Sequence, residues 1–346
     1  MIRLGFLGTG WIGRNRLEAI LAGGKATAVA IHDPDPEAAG EARKIVRMAR
    51  EVESIEGMLS LDLDGLVIAT PSAMHADQCV RALGAGIAVF CQKPLGRNAT
   101  EVAAVIAAAK SADRLLGVDL SYRHIAGIEG IRSRIRRGEL GQVFAADLTF
   151  HNAYGPGAGW FWDPCLSGGG CLIDLGVHLV DLALWMFDFP EVTSVSATLL
   201  RDGHPRMDGE VEDYAIGEFA LQGGVNVRIS CSWNLNAGQD ALIEATFYGT
   251  KGGARLRNEN GSFFDFSADL FTGRSAERIA SPPDDWGGRA AVEWVQKLAQ
   301  GEKFAESTTG LLQTAETLDR LYGRPLAYQP FTRSHVSMIS AAPSVT

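Results

Sequence analysis

The sequence predicts an α/β protein in two parts. An N-terminal doubly wound parallel sheet comes first, then an α+β domain with a large, mainly antiparallel open sheet. Three observations carry this. The first 120 residues alternate short apolar runs with helical patterns. A glycine-rich turn, "GTGWIG", joins the first run to the first helix. After about residue 121 the apolar spacing changes from a helical period to a period of two.

The elements follow in order. "IRLGFLG" (2–8) is a strand and 11–23 a helix; 26–33 is a strand and 36–50 a helix with proline near its start. "DGLVIATP" (64–71) is a buried strand ended by proline, 74–86 a helix with a glycine exit, 87–94 a strand, 99–112 a helix and 115–120 a strand. Strands that are apolar throughout, each followed by a helix, belong in a parallel sheet covered on both faces. A helix over 125–138 and a strand over 142–152 open the second part, and an apolar helix covers 168–185. Strands then fall over 192–201, 212–221, 224–234 and 241–249. In "GVNVRISCSWN", Val225, Val227, Ile229, Cys231 and Trp233 share one face and Asn226, Arg228, Ser230 and Ser232 the other. Helices near 286–300 and 308–322 close the fold, and helices pack on one side of this sheet. The expected division is 1–121, 122–330 and a loose tail over 331–346.

The 346 residues include 32 basic and 41 acidic side chains, a formal charge of −9. That balance argues against nucleic acid or an anionic membrane as partner. The densest basic stretch, "IRSRIRRGELG" (131–141), reads as the wet face of an amphipathic helix. No run of about 18 apolar residues suggests a membrane span, and "MIRLGFLGTGWIG" lacks the pattern of an export signal. Five cysteines, an odd number without a C-x-x-C pair, suit a reducing cytoplasm rather than a disulfide framework or a zinc cage.

Gly8, Gly10 and Gly13 form G-x-G-x-x-G between a strand and a helix, the setting of a Rossmann dinucleotide site. Gly8 permits the tight turn, Gly10 admits a pyrophosphate to the backbone, and Gly13 lets helix and strand pack closely. Trp11 and Ile12 start the helix whose free N–H groups and dipole would hold the phosphates. Asp33, twenty residues after Gly13, ends the second strand. A carboxylate there accepts ribose hydroxyls of NAD and repels the extra phosphate of NADP, so NAD is the expected cofactor. The alternative is a structural glycine turn with Asp33 as a helix cap.

Three stretches together resemble the glucose-fructose oxidoreductase / inositol dehydrogenase / MocA (Gfo/Idh/MocA) family: "GFLGTGWIG", "VIATPSAMHADQCVRALGAGIAVFCQKPLG" and "SGGGCLIDLGVHLVDLALW". The similarity runs from residue 1 to about 325. It implies a Rossmann domain, a second domain with an open sheet, a nicotinamide cofactor, oxidation of a sugar or polyol hydroxyl, and dimers or tetramers. The family's E-K-P motif falls on Gln92, Lys93 and Pro94, its D-x-x-x-H on Asp174 and His178, and its A-T-P-x-x-x-H on Ala69, Thr70, Pro71 and His75. By resemblance Thr70, Pro71, His75, Gln92 and Lys93 line the cofactor path. Gln92 departs from the usual glutamate; it keeps the shape and loses a charge.

Hydride transfer from a carbinol carbon requires the hydroxyl proton to leave, and a neutral histidine can take it near pH 7. His178 is the expected general base. Lys93 ends a parallel strand where such sheets place ligands, and its ammonium would stabilise a developing alkoxide. Asp174 would orient the His178 ring or bind another hydroxyl. Asp174, His178 and Asp181 stand at i, i+4 and i+7, one helical stripe. They could equally form an internal network locking the helix, and Asp181 is assigned that role. A metal held by Asp174 and His178 with His151 or Cys171 is a rival, disfavoured for want of a ligand cluster; no metal is expected.

"HNAYGPGAGWFWDP" (151–164) is either a substrate loop or a hydrophobic plug at the domain seam, with His151, Tyr154, Trp160 and Trp162 as candidate substrate contacts. Arg123, just after the last Rossmann strand, contacts substrate or braces the hinge. The apolar face from Val225 to Trp233 would be covered by helices or by another subunit, hence an expected homodimer or homotetramer through the open sheet. The leading function is an NAD(P)-dependent oxidoreductase acting on a sugar, sugar acid or cyclitol. The alternatives are glycoside cleavage with tightly held NAD and a non-catalytic sugar or cofactor sensor.

Overall fold

The computed structural model describes residues 1–325; the tail expected over 331–346 lies outside them. Strands β1 (Ile2–Leu7), β2 (Ala26–His32), β3 (Arg50–Glu51), β4 (Gly65–Ile68), β5 (Ala88–Cys91) and β6 (Leu116–Val118) form a parallel sheet in the order β3-β2-β1-β4-β5-β6. Helices α1 (Trp11–Ala22), α2 (Pro36–Ile45), α3 (Ile55–Leu59), α4 (Ser72–Gly84) and α5 (Ala99–Ala112) connect them. Every residue of β4 and β5 is buried, as strands covered on both faces require. Side chains fix the helix starts: Asp35 accepts from Glu37 N ahead of Pro36, and Asn98 accepts from Glu101 N. The second helix stops at Ile45 rather than running to residue 50. Arg50 and Glu51 pair beside β2 instead, a tertiary pairing that overrides the helix propensity of "VRMAR".

Helix α6 (Ala126–Arg136) leads to a second sheet of nine strands. These are β7 (Val143–Asn152), β8 (Val192–Arg201), β9 (His204–Pro205), β10 (Tyr214–Leu221), β11 (Asn226–Ser232), β12 (Ala241–Gly249), β13 (Gly253–Asn258), β14 (Phe266–Thr272) and β15 (Ser275–Ala280). Their order is β15-β14-β13-β12-β7-β11-β10-β8-β9, antiparallel except where β7 meets β11. Strands β13 to β15 were not anticipated. They are short, rich in charge and broken by the "NENGSFFD" turn, so their alternation is too weak to read alone.

Val225, Val227, Ile229, Cys231 and Trp233 are buried. Helix α6 covers β13 to β15, and α8 (Val177–Met186) covers β7 and β11. The apolar face is therefore satisfied within the chain and needs no second subunit, which removes the expected reason for assembly. The opposite face carries Ile216, Glu218, Asn226, Arg228, Leu242 and Tyr248 in exposed positions.

The apolar stretch 168–185 is not one helix. After the short α7 (Pro164–Ser167), Gly168 to Gly170 are non-helical, Leu172–Gly176 is a π turn, and α8 follows. A Cβ at Gly170 would run into the Glu212 carbonyl. The buried Glu212 carboxylate accepts from Gly170 N (2.9 Å) and Leu172 N (3.0 Å), and Tyr322 Oη donates to it at 2.6 Å while accepting from Ile173 N at 3.1 Å. A side chain 40 residues away thus caps this helix start. By length and composition alone Pro164–Met186 is apolar enough to cross a membrane, but 89% of its apolar window is buried inside the fold, as in a core segment.

The chain then crosses back. Helix α9 (Arg289–Ala299) packs Ala290, Ala291, Trp294 and Val295 into one core with Leu4 and Phe6 of the first sheet and Leu17 of α1. Helix α10 (Gly310–Leu321) lies against both α5 and α8. A division at residue 121 is thus bridged from the far end of the chain.

Candidate active site

The site begins at the glycine turn. Gly8 has φ +81°, and a Cβ there would strike the Ala69 backbone; one at Gly13 would strike the Gly8 carbonyl. A Cβ at Gly10 would meet nothing within 4 Å. That open space lies at the start of α1, which has no side-chain cap and no acid in its first turn. Free amides around an open concavity suit a pyrophosphate. Trp11 is 65% exposed beside it, and Ile12 is partly buried. Asp33 Oδ2 accepts from Thr9 N at 2.6 Å and Oγ1 at 3.3 Å, which anchors the carboxylate on the glycine turn. Asp35, not Asp33, caps α2, so the capping alternative for Asp33 fails.

Thr70 and Pro71 lie next to the turn, with Thr70 Oγ1 donating to Gln78 Oε1 at 2.6 Å. His75 departs from its expected place on the cofactor path. It is buried, and its ring nitrogens face the Pro94 and Thr70 carbonyls, each at 2.7 Å. It clamps the Lys93 loop to the end of β4, and burial shifts its pKa down.

Lys93 Nζ donates to Asp174 Oδ1 and to the Asp174 carbonyl, both at 2.7 Å. Asp174 Oδ2 accepts from Trp233 Nε1 at 3.1 Å. Asp174 therefore orients Lys93, not the His178 ring. The reason is the π turn: its wider i→i+5 spacing takes Asp174 off the stripe that regular helical periodicity would give. An ammonium has three donors, so Lys93 retains one N–H for a substrate oxygen.

His178 is buried with its ring 4.8 Å from Tyr122 and 6.3 Å from Phe150, centroid to centroid. Among the described residues nothing hydrogen-bonds to its ring nitrogens. Burial, and then the charges of Lys93 and Arg16, hold its pKa well below the ordinary histidine value. A neutral, unengaged imidazole thus lies within electrostatic reach of the oriented Lys93 ammonium.

Gln92 does not face the cofactor path. Its Nε2 donates to Asp119 Oδ2, which also accepts from Arg16 Nε at 2.5 Å. Arg16, Asp119 and Trp233 were missed as site residues. Two signals were present: an acid closing the apolar strand "LLGVDL", and a guanidinium three residues past Gly13 on a helix that must pack.

Asp181 and Arg123 pair with each other, which fits an internal role for the acid and a bracing one for the arginine. Arg123 Nε and Nη2 reach the two Asp181 oxygens at 2.7 and 2.5 Å, and its guanidinium lies over Phe189 at 5.4 Å. His151 is also corrected. It lies on the outer face of the second sheet, stacked on Tyr214 with Nδ1 2.7 Å from Ser232 Oγ, while its neighbour Phe150 points to the site. Alternation along β7 puts the two on opposite faces. Burial lowers its pKa to about 4. His151 lies across the sheet from Asp174 and His178, and among the described residues no three His, Cys, Asp or Glu side chains gather as metal ligands.

In the 151–164 loop, Trp162 and Phe161 stand edge-on to Trp233, at 5.0 and 6.2 Å. Trp160 stacks on Phe161 at 3.8 Å, and Tyr154 is exposed beside Phe263. Through Trp233 the loop is one side chain from Asp174.

Comparison with known proteins agrees with this fold. A profile described as "Oxidoreductase family, NAD-binding Rossmann fold" matches residues 2–120, and one described as "GFO/IDH/MocA C-terminal domain" matches 128–255. The chain is 27% identical over 232 residues to a D-glucoside 3-dehydrogenase of Escherichia coli, covering 64% of each chain, so slightly less than two thirds of that relative is spanned. It is 29% identical over 262 residues to an inositol 2-dehydrogenase of Rhizobium meliloti, covering 75% of this chain and 76% of that one. Among solved structures, the 3-ketoreductase KijD10 of Actinomadura kijaniata, in complex with NADP and TDP-benzene, is similar with a TM-score of 0.81 at 20% identity, covering 93% of this chain and 97% of that one. Levoglucosan dehydrogenase in complex with NADH and L-sorbose gives 0.80 at 19%, covering 93% and 96%. These two likenesses are of fold.

Proposed function

The chain belongs to the Gfo/Idh/MocA oxidoreductase family, with its NAD-binding Rossmann fold, and from that premise we propose that it interconverts a hydroxyl and a carbonyl on a sugar, sugar acid or cyclitol. The observation that carries this is Lys93, held by two Asp174 oxygens with one N–H left over, whose charge reaches the unengaged His178 ring. The open cradle at Gly10 and the anchored Asp33 would hold the dinucleotide. When bound, that cofactor supplies the acceptor or donor of hydride. Lys93 binds the reacting oxygen and stabilises its negative charge. Neutral His178 takes the hydroxyl proton on a ring nitrogen, or returns it in the reductive direction. Trp162, Phe161 and Trp233 keep water from the seam behind Asp174.

A screen of sugars and polyols for the absorbance of reduced nicotinamide, with NAD and NADP separately, tests this. Silence across aldoses, ketoses, uronic acids and inositols with both cofactors would overturn it. NADH released in proportion to substrate separates it from redox-neutral glycoside cleavage.

Asp33 favours NAD. Removing its charge with Asp33→Ser is expected to shift the NADP-to-NAD ratio of kcat/KM at least tenfold toward NADP, since a carboxylate repels the 2′-phosphate. An unchanged ratio would show that Asp33 does not face the ribose. Free thiols at all five cysteines support a cytoplasmic setting. Assembly as a homodimer or homotetramer would use the outer sheet face around Ile216, Leu242 and Tyr248. Sedimentation that finds only monomer at micromolar concentration would remove that part of the proposal.

A further inference from the structure

Gln92 stands where the resemblance leads one to expect glutamate, and the fold supplies the reason. Its side-chain amide donates to Asp119 Oδ2. Asp119 and Arg16 are both buried, with side chains 1% and 7% exposed. A glutamate at 92 would place two carboxylates within hydrogen-bond reach in a dry site, where both cannot stay ionised without a large cost. An amide can donate there; an ionised carboxylate cannot. Residues 92 and 119 are thus a matched pair, with the negative charge on 119.

The pair also sits where it can act on Lys93. Gln92 N bonds to the Ile68 carbonyl at 2.8 Å and Asp119 N to the Cys91 carbonyl at 2.9 Å, so both backbones are pinned at the ends of adjacent strands. The Gln92–Asp119 bridge joins β5 to β6 at the point where the chain turns out to Lys93. Arg16 ties the same carboxylate to α1, the helix that opens on the Gly10 cradle. Among the described residues one Asp119 oxygen, Oδ1, has no partner, so there the carboxylate is held through Oδ2 by Arg16 and Gln92.

We infer that Asp119 is a positioning residue for Lys93, acting through Gln92 and held in turn by Arg16, and that positions 92 and 119 are a matched amide–carboxylate pair. The meaning of Lys93 rests on the proposed oxidoreductase function; the pairing does not.

The test is a double-mutant cycle on the full chain with Gln92→Glu, Asp119→Asn and the two combined. Thermal unfolding, NADH binding, steady-state kinetics and a lysine-selective 13C spectrum are read for each. The Lys93 signal is assigned by its loss in Lys93→Met. Each single variant is expected to lower Tm by about 3 °C or more, to lower kcat about tenfold or more with sugar KM within about threefold, and to move the Lys93 signal. The double variant is expected to recover at least half of the Tm loss, to bring kcat to within about threefold of the parent, and to return the signal. Additive losses in the double variant, or a Gln92→Glu that behaves like the parent, would overturn the pairing. Tm coupling with an unmoved Lys93 signal and unchanged kcat would overturn the positioning role. A parent protein silent on every sugar removes the oxidoreductase function, while Tm and the Lys93 signal still decide both parts of the inference.

Discussion

Replacing Lys93 by Met is expected to lower kcat/KM about 1000-fold or more, with NADH binding held to within about threefold. The size follows from the geometry. Two of the three ammonium donors hold Asp174, and the third is the one left for the reacting oxygen. Removing a single donor aimed at developing charge costs about 100- to 1000-fold, and here the positive charge goes with it. Among the described residues the Lys93 ammonium hydrogen-bonds only Asp174, not the cradle at Gly10 and Asp33, so dinucleotide affinity has no reason to fall. Met keeps the length and the apolar stem, which limits the change to the head group. Asp174 also loses its cation, but it retains Trp233 Nε1 and is partly exposed, so the fold should survive. Steady-state kinetics beside NADH fluorescence titration check the result. Turnover within tenfold of the parent would mean that Lys93 does not contact the reacting oxygen.

Much of this was legible in the sequence because it rests on local rules. The glycine spacing, the buried strands and the acid twenty residues on each follow from the chain's own neighbourhood, and the parallel sheet formed as they imply. What was not legible depends on long-range partners. Asp174 was expected to serve His178, four residues away; it serves Lys93, 81 residues away, because a π turn breaks the helical stripe. His75 was expected on the cofactor path and instead faces backbone carbonyls, while Arg123, open between substrate contact and brace, reaches Asp181. The Val225–Trp233 face was read correctly as apolar, but period two cannot say whether a helix of the same chain or a second chain covers it. Gln92 looked like a lost charge until Asp119 appeared beside it. In each case the side-chain chemistry was right for its role and the sequence lacked only the identity of the other group.

His178 carries the second large effect, and its sign can be worked out. Burial and the charges of Lys93 and Arg16 push its pKa well below the usual value, so the ring is neutral, and able to accept a proton, at pH 7 and on down through 6.5. For wild type, kcat/KM in the oxidative direction is therefore expected to show no histidine limb at 6.5; any acid limb lies lower. His178→Gln should lower kcat about 100- to 10 000-fold, the range for loss of a positioned base. Stability moves with the same protons. His178 and His75 both have folded pKa values below those of the unfolded chain, so between the two the unfolded state binds more protons. Their contribution is complete above about pH 6.5 and is lost as pH falls below it. Tm should accordingly decline from pH 7 to 5, and His178→Gln should flatten part of that decline. Rate and melting profiles on the same buffers test both halves. An activity limb centred at 6.5 or above would mean the ring is not shielded as described. A Gln variant keeping more than a tenth of the parent's kcat would pass the proton work to Lys93 alone.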